Sequence, residues 1–66
     1  MNTIGTRASQ LRNNDQILMT DGLVTVTNFK MVLVEDIVTF TATKSDGSVS
    51  QRWAAMDSVV NKLCSS

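Results

Sequence analysis

Two Asp-Gly pairs, Asp21-Gly22 and Asp46-Gly47, sit among runs in which β-branched residues alternate with polar ones. No other feature restricts the fold as much. Glycine reaches positive φ without steric cost, and Asp-Gly between alternating runs is a strong short-range hairpin signal. Residues 15–53, which hold both pairs, are expected to form the ordered body of an antiparallel β protein.

The flanking runs supply the strands. Residues 16–20 (QILMT) read as a short apolar strand, and Asp21-Gly22 matches a two-residue type I′ turn. Residues 23–29 (LVTVTNF) alternate, with Val24 and Val26 on one face and Leu23, Thr25 and Thr27 on the other. Residues 30–35 (KMVLVE) form a third apolar run, either a separate strand or a continuation through a bend. Glu35-Asp36 is the expected tight connection to residues 37–43 (IVTFTAT), which place Val38, Phe40 and Ala42 together opposite a threonine face. That polar face is expected to be solvated sheet surface. After the second turn, residues 48–53 (SVSQRW) put Val49, Gln51 and Trp53 on one face, with Trp53 expected to cap one end of the core. The expected core is Ile17, Val24, Val26, Val38, Phe40 and Val49.

The two ends carry weaker patterns. Residues 1–14 are expected to be a flexible arm and lead-in, with Leu11 as an anchor under the sheet, and residues 15–64 the domain proper. Asn13, Asn14 and Asp15 form a turn cluster, since their side chains bond local backbone and tolerate left-handed conformations. In the tail, Met56, Val59, Val60 and Leu63 recur at helical spacing, and periodicity favours a helix. A closing strand beginning at Val59-Val60 is the alternative.

Composition then removes most chemistries. The chain has 66 residues, no histidine and one cysteine, Cys64. Histidine bases, most zinc sites, Cys-X-X-Cys redox chemistry and an internal disulfide are therefore excluded. Neither Asp-Gly pair carries the alternating oxygen ligands of a calcium loop. Adjacent Glu35 and Asp36 would point to opposite faces of a strand, so they make no cooperating carboxylate pair. No enzyme activity, metal or cofactor is expected. Six basic residues balance six acidic ones, so no net field draws a polyanion. The polar start, MNTIGTRASQ, is no signal peptide, and no apolar run is long enough to span a bilayer. A complete small product located in the cytoplasm is expected.

From residue 8 to residue 63 the chain resembles small β-barrel proteins common in actinobacteria and their phages. The shared features are a lead-in such as SQLRNNDQIL, a first Asp-Gly turn, a V-T-V-rich strand, a second Asp-Gly turn and a valine-bearing tail. Leu11, Arg12 and Ile17 match the lead-in, with Asn14-Asp15 in place of the usual Gly-Asp pair. The resemblance implies a mainly β chain forming a small antiparallel SH3-like barrel. It also implies a phage origin and a tail that makes a short helical turn before a closing strand.

Function must then lie in a surface. In Met31, Val32, Leu33 and Val34 both alternating faces are apolar, and a core this small accepts only one of them. The expectation is a protein-interaction module that binds a protein partner, or a second copy as a homodimer, through this run. The alternative is a small nucleic-acid-binding barrel using Arg7, Arg12, Lys30 and Arg52, with Trp53 or Phe29 as a stacking platform.

Overall fold

A computed structural model describes residues 2–64. Its regular structure is almost entirely β. The strands are β1 (Thr3–Arg7), β2 (Gln16–Met19), β3 (Gly22–Val32), β4 (Ile37–Lys44), β5 (Val49–Ala55) and β6 (Val59–Leu63), with one 3-10 turn at Ala8–Gln10. They form a single antiparallel sheet in the order β1-β6-β2-β3-β4-β5. The sheet is not closed, and β1 and β5 are its two edges.

The alternation in the centre folds as read. Ile17, Val24, Val26, Val38, Phe40 and Ala42 are all buried on one face. Leu11 joins them as the expected anchor, together with Ala8. Each deletes apolar surface from water at about 25 cal/mol per Å², and no buried side-chain polar atom among the described residues lacks a partner.

Glycine serves the two hairpins in different ways. In the second, Gly47 (φ 90°) donates its N–H to Lys44 O at 3.0 Å, and Lys44 N–H donates to Ser48 O at 2.9 Å. This is a three-residue loop with glycine at the left-handed position. Asp46 Oδ1 accepts from Ser48 N–H (2.9 Å) and Ser48 Oγ–H (2.6 Å), which lock the loop and hold the Asp46 carboxyl below its ordinary range. In the first hairpin Met19 pairs with Gly22, so the loop is Thr20-Asp21, and neither of these has positive φ. The expected type I′ turn centred on Asp21-Gly22 is therefore corrected: Gly22 (φ 122°) follows the loop and opens β3. A Cβ at either glycine would meet nothing within 4 Å, so only backbone conformation resists a side chain there. Gly47→Val and Gly22→Val are each expected to cost about 1–3 kcal/mol. Chemical denaturation checks this, and unchanged midpoints would reject the strain.

Four expectations are corrected. Thr3–Arg7, read as part of a flexible arm, is β1, paired with β6 from Thr3↔Leu63 to Arg7↔Val59. Regular structure thus begins at Thr3, not at Asp15. The tail is not a helix: a turn closed by Ser58 N–H to Ala55 O (3.0 Å) leads into β6, which pairs with both β1 and β2. A helix of that length is marginal by itself, whereas two waiting strands satisfy β6 on both sides. Val49 and Trp53 leave the core for the opposite face, at 60% and 69% exposure. Their register partners explain this: Thr43↔Val49 and Thr39↔Trp53 are on the threonine face, while Phe40↔Arg52 and Ala42↔Ser50 put smaller or amphipathic side chains inward. Finally, Thr41 is buried within the threonine face, its Oγ1 accepting from Gln51 Nε2 at 3.0 Å.

Candidate functional site

The open question of residues 30–35 resolves into a bulge and a hairpin tip. β3 runs on through Val32, but its register with β4 passes from Thr27↔Thr41 to Lys30↔Thr39. Asn28 and Phe29 therefore oppose Phe40 alone, and Asn28 takes φ 51° to make the bulge. The extra residue reverses which side chains point inward. Phe29 and Met31 now follow Val24 and Val26, while Lys30 and Val32 join the outer face.

β3 and β4 pair as far as Val32↔Ile37, so Leu33, Val34, Glu35 and Asp36 form the connecting loop. Asp36 N–H donates to Leu33 O (3.3 Å), and Met56 N–H donates to Asp36 O (3.1 Å), tying the loop to the chain after β5. Asp36 itself is left-handed, φ 59°. The loop is built to hold its shape, yet it carries Leu33 at 77% and Val34 at 97% exposure. Of the four residues singled out from sequence, Met31, Leu33 and Val34 are exposed and Val32 is half-buried.

Met31 also reaches back. With Ser9, Leu11, Arg12, Asn13 and Phe29 it lines an open groove of about 650 Å³. The groove wall is fastened where Asn13 Oδ1 accepts Phe29 N–H at 2.9 Å. Asn14 (φ 75°) donates its N–H to Val26 O at 2.7 Å, and Asp15 O accepts Val26 N–H at 2.8 Å. The lead-in is thereby stitched along β3, and the Asn-Asn-Asp turn holds as expected. Arg12 has no ion-pair partner among the described residues, so the groove has a cationic rim. Sequence reading missed this groove because the bulge, which turns Phe29 and Met31 inward, is marked only by one asparagine.

The residues of the nucleic-acid reading are dispersed. Lys30 and Trp53 lie on either side of Thr39 on the outer face. Phe29 and Arg12 line the groove, and Arg7 ends β1 at the far side of the sheet. Arg52 faces inward, where Asp21 Oδ2 accepts from its Nη2 at 2.8 Å and from Lys44 Nζ at 2.9 Å. The Lys44 hydrogen bond, with both cations nearby, holds the Asp21 carboxyl below its ordinary range. No helix among the described residues is long and apolar enough to cross a membrane. Comparison with protein-family models, with curated proteins and with solved structures finds no match to this chain.

Proposed function

We propose that the protein is a non-enzymatic interaction module that binds another protein through the tip of the β3–β4 hairpin and the groove beside it. One observation carries the reading: a loop pinned by backbone hydrogen bonds displays Leu33 and Val34 almost fully to water. Apolar side chains at a rigid apex lose little conformational freedom on docking, so their burial translates into affinity. Met31 links the tip to Leu11 and Phe29, and Arg12 supplies a charge at the rim. A segment with apolar anchors and an adjacent acidic residue complements that arrangement. Within this reading the small curled sheet is an SH3-like barrel, phage-encoded and working in the cytoplasm.

Nucleic acid is the weaker partner. The cations and aromatics available for it are divided among the outer face, the groove and the inner rim, and net charge is zero.

Exposed side chains can be changed without harm to the core, which makes the test direct. Leu33→Ser with Val34→Ser is expected to leave the melting midpoint within about 0.5 kcal/mol of equivalent stability. The same change should weaken capture of a stoichiometric protein partner at least about tenfold. Affinity purification with wild-type and variant bait, followed by titration of the captured protein, reads both. Equal capture by the two baits, or salt-sensitive binding of labelled single-stranded oligonucleotides in its place, would overturn the reading.

A further inference from the structure

We infer that the free edge of β5 pairs with β5 of a second copy, antiparallel about a two-fold axis at Gln51, joining two sheets into one. The hairpin tip has no part in this contact.

The backbone at that edge is available. In an antiparallel ladder, residues that exchange both hydrogen bonds with their partner alternate with residues that do not. Lys44 N–H bonds Ser48 O at one end of the β4–β5 pair, and Met56 N–H bonds Asp36 O at the other. Ser48 C=O and Met56 N–H thus face β4, and between them Ser50, Arg52 and Ala54 turn both their N–H and C=O groups towards it. Val49, Gln51 and Trp53 turn theirs outward, and β5 stands last in the strand order; Ala55 C=O is already taken by Ser58.

Natural edge strands are usually blunted by proline, lysine, inward charges or bulges. From Val49 to Ala55 there is no proline, lysine or acidic residue, and the β4–β5 register has no shift. The one charge, Arg52, lies on the inner side and is held by an ion pair with Asp21, which it shares with Lys44.

Self-pairing in one register is chemically complementary. With Gln51 opposite its own copy, Val49 opposes Trp53 and Ser50 opposes Arg52, each twice by symmetry. Val49 and Trp53, two large exposed apolar side chains of the outer face, then cover one another as an aromatic–β-branched cross-strand pair. Ser50 Oγ already accepts a hydrogen bond from Arg52 Nε of its own chain at 3.0 Å, so the two groups have matching polarity. About six new backbone hydrogen bonds form. Centring the axis on Arg52 would instead set two guanidinium groups face to face. A two-fold contact needs one self-complementary strand, and it closes at two copies.

The register can be read chemically. Paired residues that exchange hydrogen bonds have Cα atoms about 5.5 Å apart, within the span of a disulfide. Gln51→Cys in a Cys64→Ser background should therefore give a disulfide-linked dimer on mild oxidation. Ala55→Cys in the same background should not, because its copy lies far along the pair. In sedimentation velocity across a concentration series, Trp53→Lys and Val49→Glu should each raise the dimer Kd at least about tenfold. The double variant V49E/W53K sets opposite charges across both sites and should regain dimer. Circular dichroism of the single variants, unchanged from wild type, shows that the fold persists. Wild type remaining monomeric at millimolar concentration would overturn the inference. So would a dimer indifferent to W53K, failure of Gln51→Cys to cross-link, or open-ended polymers from β1 adding to β5. L33S/V34S should dimerise normally while losing partner capture, which separates the two surfaces.

Discussion

Phe40→Ala is expected to leave the protein largely unfolded at 37 °C. Phe40 is the largest fully buried side chain and lies in β4, with β3 on one side and β5 on the other. Its cross-strand neighbours are the bulge residues of β3 and Arg52. Truncating a buried phenylalanine costs about 3–5 kcal/mol. A domain of this length has a total stability of about 3–10 kcal/mol, so the loss is of the same order as the whole. Urea titration followed by tryptophan emission and far-ultraviolet dichroism measures it. Phe40→Leu, which keeps most of the volume, should recover the larger part of the stability. A midpoint for Phe40→Ala close to that of wild type would show that the ring is not packed as described.

Removing the chain from Val59 onward is expected to abolish the fold. β6 lies between β1 and β2. Its loss would expose the edge of β2 and leave β1 with no neighbour at all, because β1 pairs only with β6. Val60, half-buried against the core, would go as well. Ala8 N–H, which bonds Ser58 O at 2.8 Å, would then hang at a frayed end. The truncated chain should lack dispersed amide resonances in a proton–nitrogen correlation spectrum. A cooperative thermal transition in that chain would contradict the central placement of β6.

The parts of this fold that could be read from residue order are those where one period governs the side chains. Val24 and Val26, then Val38, Phe40 and Ala42, alternate with threonines, and both sets are buried. Such patterns fix a face because a one-residue slip would put every apolar group in water. Legibility ends where neighbours decide. Val49 and Trp53 look like the inward set of β5, but an edge strand has core on part of one face only, and its phase is set by register with β4. Thr3–Arg7 carries no period because β1 covers a strand edge more than it fills the core, and only Thr6 within it is half-buried. The helical spacing of Met56, Val59, Val60 and Leu63 is real, but vacant strand edges outweighed it. At the candidate site, the apolar run was visible in sequence. Its division into groove and apex was not, since that depends on Asn28 adopting a left-handed conformation at the bulge.

The position of β6 has a consequence for how the chain reaches this state. β3, β4 and β5 are successive hairpins with local contacts, the kind that close early because little chain entropy is lost. The Thr3↔Leu63 pair, by contrast, joins the two ends of the sequence. During synthesis, β1 and β2 have no strand to join them until β6 has been made. Each newly made molecule therefore passes through an interval in which an apolar β2 edge is uncovered and can pair with the wrong chain. Close spacing of newly made chains therefore favours misassembly at that edge.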